Sequence, residues 1–349
     1  MTLETLFITL NGIRPPEGRP LLTPQRLARL GRGGRIAPGS DAVALAWRLL
    51  DPAGRGRRSI GYLAALGMDL HPDPERTWAC LSFAHLRQTR ERLVFIDHET
   101  TRPRPDEREL LTDSLASVLD EAGWSLHPTP DPQLWLLSTG RHLEVEIPPL
   151  AHLDGASLLD RQPTGADAMA IVTLVTHGQM ALARHEVNGK RQRAGLPPLN
   201  TPWIWGVGRG VMEPPHTRQT GTCWSREAAI CGLARASGWS GHRLDGSSWE
   251  RVIETVLAGR ARIGLLDCAG VTAREWNGLD AGLLAPLAAA MGRRGGRLLI
   301  AGGGEKDEGV PWHGSRGWRL RIGNWLPPHH LAGGGPVSTI EELRESWLA

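Results

Sequence analysis

Tyrosine and lysine are almost missing from this 349-residue chain: there is one Tyr, and only Lys190 and Lys306 stand among forty basic residues. No dense Lys/Arg run flanks an aromatic platform, so the electrostatic footprint of a nucleic-acid binder is not there, and a formal net charge of +3 agrees. Arginine in place of lysine, with abundant Ala, Gly and Pro, fits a GC-rich bacterial genome. Cysteine is scarce too. Cys80, Cys223, Cys231 and Cys268 form no CxxC pair and no zinc spacing, so they read as isolated small hydrophobes in a reducing compartment. No stretch approaches the roughly 18 apolar residues of a membrane-spanning helix. The first ten residues carry Glu4 and no basic run, unlike a secretory signal. These absences predict a cytoplasmic protein with no membrane and no nucleic-acid partner. A hydrophobic content of 40% with 22% charged residues is that of an ordinary globular chain, which excludes global disorder. Tryptophan is the unexpected abundance: fourteen Trp against three Phe. Each combines a large apolar body with one N–H donor, so most are core or interface fillers; only Trp203 and Trp205 cluster.

The pattern along the chain is that of an α/β protein. Leu6 to Leu10 is a short apolar run ending at Asn11-Gly12 and reads as a buried first strand. Ser40 or Asp41 is placed to cap a helix with Val43, Ala46, Trp47 and Leu50 on one face. A β-β-α-β segment follows: strands over 78–86 and 93–97, a helix from Asp106 with Leu111, Leu115 and Val118 inward and a stop at Gly123, and a strand over 135–138. Residues 144–165, rich in Pro, Gly and Asp, read as a linker. One long helix is predicted over 166–187, with Ile171, Val175, Gly178 and Leu182 on a stripe. Strands at 204–206, 263–266, 297–300 and 320–322 then alternate with helices at 226–236, 249–257 and 273–291, the last interrupted at Pro286.

The most informative stretch runs from His185 to Gly208: HEVNGKRQRAGLPPLNTPWIWGVG. From the residues alone it is a helix end, a tight Gly/Pro loop and a strand ending in glycines. Asn188 suits a C-terminal cap, and Arg191 and Arg193 suit the negative end of the helix dipole. The stretch resembles archaeal-type cofactor-independent phosphoglycerate mutases, of the alkaline phosphatase superfamily. Its Trp-rich form is most like a bacterial family of phosphoglycerate-mutase-like regulatory proteins. Asn11-Gly12, Ala37-Pro38-Gly39-Ser40-Asp41 and Leu66-Gly67-Met68-Asp69-Leu70 match further segments of that family. The resemblance implies an alkaline-phosphatase-like layered core with a smaller inserted α+β domain: core over 1–65, insertion over 66–160, core again over 161–349. It implies a transiently phosphorylated serine activated by two divalent metals, and Ser40 is the matching position. A serine at a helix N-terminus holds a phosphate against free N–H groups. Arg58, Asn188, Arg191 and Asn200 become candidate substrate-binding residues, and Asn11, Asp41 and Asp267 candidate metal ligands.

The chain departs from the family at the metal site. Asn11 stands where the family carries a metal-binding Asp, and Gly302-Gly303-Gly304 follows the strand after which it carries a pair of ligands. A serine hydroxyl without a base or metal is a poor nucleophile, and two-metal chemistry needs several converging carboxylates or imidazoles. The expectation is therefore a regulatory or phosphate-ester-binding pseudoenzyme with a degenerate metal site and no resident cofactor. Its ligand would be a small phosphate ester such as phosphoglycerate, with a protein partner besides. The alternative is an active phosphoglycerate mutase or phosphomonoesterase with Ser40 as nucleophile and Mn, Mg or Zn bound.

Overall fold

The first strand, β1 (Thr5–Leu10), forms where the apolar run predicts it, and Leu6 and Ile8 are fully buried. It is an inner strand because both its edges are paired: it runs parallel to β11 (Ile263–Asp267) on one side and β12 (Arg297–Gly302) on the other. The structure, a computed structural model, describes residues 3, 5–10, 32–36, 50, 59–96, 101–131, 133–150, 153, 155–210, 221–244, 248–259, 261–268, 280–294, 296–302, 310–316 and 337–338. The chain divides into two compact units, one from Met1–Gly56 with Pro214–Ala349, the other from Arg57–Glu213.

In the first unit, β9 (Thr222–Ser225) lies beside β11, and β10 (Ser240–Arg243) beside β9, so five consecutive strands, β10-β9-β11-β1-β12, are parallel. Three more extend the sheet past β12: β13 (Val310–Arg316, antiparallel), β2 (Arg32–Ile36) and β14 (Val337–Ser338). Parallel strands need both faces covered. Among the described residues three helices belong to this unit: α5 (Ala228–Ala236), α6 (Trp249–Ala258) and α7 (Ala285–Arg293). Leu3, Leu6, Ile8, Trp224 and Leu266 pack with Val252, Val256, Leu287 and Met291 into one core cluster. The helix α5 lies so close to β10 that a Cβ on Gly241 would sit 2.2 Å from the Cys231 carbonyl oxygen. Pro286 falls in the first turn of α7, after a π-helical turn at Asp280–Leu284, where its missing N–H costs little. The predicted helix start at 273 and the strand at 320–322 lie outside the described residues.

The second unit is built on an antiparallel sheet, β6-β7-β3-β8: β6 (Ser125–His127), β7 (Trp135–Thr139), β3 (Thr77–Ala84) and β8 (Thr201–Arg209). A two-stranded ribbon, β4 (Leu86–Gln88) with β5 (Leu93–Phe95), stands beside it. Helix α2 (Arg108–Glu121) brings Leu111, Leu115 and Leu119, and α3 (Ala168–Leu182) brings Ile171, Leu174, Val175 and Leu182, onto Ala79, Leu81, Phe83, Trp135 and Leu137. Gly123 ends α2 as predicted, with φ of +73°.

Two expectations are corrected here. The segment 144–165 is no linker: Leu143, Ile147, Leu150 and Leu153 are buried in the second unit's core, and Glu146 bridges Thr164. The single helix predicted over 166–187 is two, α3 and α4 (Glu186–Arg193), because His185 turns extended and accepts from the Val187 N–H as an N-cap. The compact unit that contains the expected insertion runs from Arg57 to Glu213. Helix α1 (Ile60–Gly67), capped by Ser59, packs on β3 so tightly that a Cβ on Gly61 would lie 2.5 Å from Ala79 N. At the other end, β8 pairs with β3 from Thr201↔Ala84 to Arg209↔Thr77. The strand that β3 needs as neighbour is thus supplied by the stretch expected to have returned to the core.

Candidate functional site

In an open parallel sheet, ligands are taken at the carboxyl ends of the strands, where backbone direction and loop geometry leave a crevice. Here the register sets those ends in a row. Arg243 of β10 is opposite Ser225 of β9, Ser225 opposite Asp267 of β11, Asp267 opposite Thr9 of β1, and Thr9 opposite Ala301 of β12. One residue on, Leu10 is opposite Gly302. Asp267 is the one predicted ligand position within this row. It is fully buried and accepts a 2.7 Å hydrogen bond from the Ser225 hydroxyl. Ser225 is in turn fixed from two sides: its oxygen Oγ accepts from Glu227 N at 2.9 Å, and its carbonyl accepts from Leu244 N at 2.9 Å. The turn that launches α5 therefore holds the hydroxyl against the carboxylate. Sequence reasoning missed Ser225. Its signal was a Ser two residues before Glu227 at a helix start, a local capping pattern that says nothing of a residue 42 positions away.

Three thiols surround this pair. Burial pushes the Cys223 thiol well up, with Cys231 and Asp267 adding to it; burial pushes Cys231 up to about 12; and burial with the Asp267 charge raises Cys268. All three shifts disfavour the thiolate, the form that acts as a nucleophile, in keeping with the reading of free, apolar cysteines. A cleft of about 760 Å³ lined by Thr222, Trp224, Ser240, His242, Thr255 and Arg262 lies at the opposite, amino-terminal ends of β9, β10 and β11. It is separate from the Asp267 edge.

The candidate substrate-binding trio lies in the second unit, and there its members brace the chain. Asn188 is buried; its amide donates to Leu182 O and Leu199 O, both at 2.9 Å, and accepts from Leu199 N at 2.6 Å. It does cap a helix, α3, but from inside α4. Arg191 is 2% exposed. Its guanidinium forms a 2.7 Å ion pair with Glu107 and donates to Pro197 O and Arg102 O. Asn200 accepts from Leu86 N at 2.8 Å and donates to Leu86 O at 2.9 Å, as a strand backbone would. The contacts of these residues fasten α4 and β8 to the segments at 86 and 102–107. Asn188, Arg191 and Asn200, expected to hold substrate, are thus engaged with protein groups. Glu107, the counter-charge sequence reasoning missed, is 84 residues from Arg191.

Asn11, Ser40, Asp41 and Arg58 lie outside the described residues. Among the described residues no group of three His, Cys, Asp or Glu could hold a metal ion. Asp267 is a buried carboxylate with a hydroxyl already on it, and burial disfavours the thiolate form of the neighbouring cysteines. The described donors therefore do not by themselves make a metal site. Nor is any described helix long and apolar enough to cross a membrane.

Comparison with known proteins places this geometry. No protein-family profile matches the chain. It is 24% identical over 215 residues to a probable 2,3-bisphosphoglycerate-independent phosphoglycerate mutase of Geobacter sulfurreducens, covering 60% of this chain and 53% of that one. It is 28% identical over 175 residues to the corresponding mutase of Methanosarcina mazei, covering 49% and 42%. The chain thus spans about half the length of these curated relatives. The solved cofactor-independent phosphoglycerate mutase of Thermoplasma acidophilum superposes with a TM-score of 0.51 at 17% identity, over 99% of both chains. The chain resembles cofactor-independent phosphoglycerate mutases in sequence and shares the α/β fold of the Thermoplasma acidophilum enzyme. These relatives carry the names of mutases; none of the three is named as a regulator. They also overturn the expectation of no cofactor, since mutases of this type are the ones whose resemblance implies divalent metal.

Proposed function

We propose that this chain takes a small phosphate ester of the phosphoglycerate class at the carboxyl edge of its parallel sheet, beside Asp267. One observation carries the reading: the strand register sets Asp267 directly against the end of β1 and one strand away from the end of β12, at the edge where such sheets take ligands. The mutase names of the curated relatives supply the ligand class. On this reading Ser40, just before a predicted helix, is the residue expected to meet the phosphoryl group. Asn188, Arg191 and Asn200 are left out of the ligand contacts, being engaged with protein groups.

The finer reading is a binding or regulatory relative without mutase turnover. Asn11 follows β1, and β12 ends at Gly302, two adjacent strand ends that are neutral where the resemblance implies acidic or imidazole ligands. A second reading, a working mutase or phosphomonoesterase with Ser40 as nucleophile, is favoured by the intact Ala37-Pro38-Gly39-Ser40-Asp41 segment.

Three measurements on the purified chain separate these readings. Thermal shift with 3-phosphoglycerate, with and without manganese, tests the ligand class: a rise in Tm supports it, and no shift in either condition removes it. Turnover of 3-phosphoglycerate with manganese separates binder from enzyme: turnover abolished by Ser40→Ala overturns the regulatory reading. Metal analysis after purification gives the ion and its stoichiometry.

A further inference from the structure

The outer face of α3 is unlike that of its neighbour. Helix α2 shows solvent Glu109, Asp113, Asp120 and Glu121. Helix α3, of 15 residues, contains no Asp, Glu, Lys or Arg at all. Its inward stripe is accounted for by Ile171, Leu174, Val175, Gly178 and Leu182. Outside, Met169 is 72% exposed and Met180 is 71% exposed, with Thr173, Thr176 and His177 exposed between them. The Thr176 hydroxyl bonds back to Val172 O at 2.8 Å, so it needs no partner from solvent. Large exposed methionines on an uncharged helix face mark an adaptable contact surface.

The spacing says what the contact is with. Met169, Thr173, Thr176 and Met180 follow one another by four, three and four residues, the seam of a helix that pairs with another helix. The order Met, Thr, Thr, Met also reads the same in both directions, with its centre between Leu174 and Val175. A two-fold axis through that centre lays α3 antiparallel on its own copy. Met169 then meets the partner's Met180, and Thr173 the partner's Thr176, as an isologous interface requires. The ends are complementary in charge: Glu144 and Asp167 stand at the amino end of α3, joined through Glu144 N and the Asp167 carboxylate, and exposed Arg184 follows its carboxyl end. Antiparallel pairing brings each acidic end to a basic one and sets the two helix dipoles head to tail.

We propose that the exposed face of α3 is a two-fold, antiparallel contact with a second copy of this chain. A single pair of helices of about 22 Å is small beside the roughly 1,200–2,000 Å² of a standard interface, so the dimer is concentration-dependent. Sedimentation equilibrium of the full chain is expected to show a monomer–dimer equilibrium, and Met169→Glu with Met180→Glu is expected to abolish it while circular dichroism stays unchanged. Geometry is read separately by oxidation. The doubly substituted M169C/M180C chain is expected to cross-link into dimers, whereas M169C alone and M180C alone do not. A chain that stays monomeric at every concentration overturns the proposal, as does a dimer indifferent to the two glutamates. Cross-linking of either single variant overturns the antiparallel arrangement. Flotation of the monomer with anionic vesicles, lost in the glutamate variant, would assign the face to a lipid surface instead.

Discussion

At the scale of single residues, the buried polar pairs set the sharpest expectations. Ser225→Ala leaves the Asp267 carboxylate without its hydroxyl and frees Glu227 N from its turn. A loss of about 1–3 kcal/mol is expected in denaturant unfolding followed by tryptophan fluorescence. Arg191→Ala strands Glu107 in a buried place, so about 3–5 kcal/mol is expected to go, while replacing both partners with apolar residues recovers much of it. Two histidines give a pH signature. Burial lowers the His85 pKa, with Arg87 and Arg191 adding to it, and burial lowers that of His127, with Arg76 adding to it. Their neutral rings fit the fold, and the unfolded chain takes up protons first. Stability is therefore full above the unfolded value of 6.5 and is lost as pH falls from there through the folded values. A Tm series is expected to show this slope reduced in His127→Asn, which can keep a hydrogen bond to Ser138. Residue types were legible in the sequence at this scale, and their partners were not. Asp267 was readable as a carboxylate at a strand end, but Arg191 looked like a ligand arginine because nothing local pointed to Glu107.

At the scale of elements, legibility followed apolar pattern. Helix α2, with its inward leucines and Gly123 stop, lies close to where the pattern predicts it, and so do β11 and α6. The break between α3 and α4 was hidden because helical periodicity continues through it; it depends on one extended residue, His185, and on Asn188 reaching back to Leu182 O. The strand β2 reads RGGRI, with no apolar alternation to mark it, and is identified only by its pairing with β13 and β14. Close packing gives a test at this scale. Gly241→Ala drives a methyl into the Cys231 backbone and is expected to destabilise the first unit by about 1–3 kcal/mol, measured by chemical denaturation. The four buried thiols report on the same packing: none is expected to react with a thiol reagent in the native chain, and all four after unfolding.

At the scale of the whole molecule, the two units differ in how the chain enters them. The second is one continuous run, Arg57–Glu213, with its own antiparallel sheet and its own core. Expressed alone, that run is expected to give dispersed amide signals and a cooperative melt; a spectrum of an unfolded chain would show that it depends on the rest. The first unit is made from both ends of the sequence. Its inner strand, β1, ends at Leu10, yet one neighbour begins at Ile263 and the other at Arg297. On a ribosome adding roughly 5–20 residues per second, β1 emerges on the order of tens of seconds before either neighbour exists. The whole second unit is made in that interval. The strand with fully buried Leu6 and Ile8 thus leaves the exit tunnel long before its partners and is among the last to find its place, so nascent-chain quality control can engage it throughout that interval.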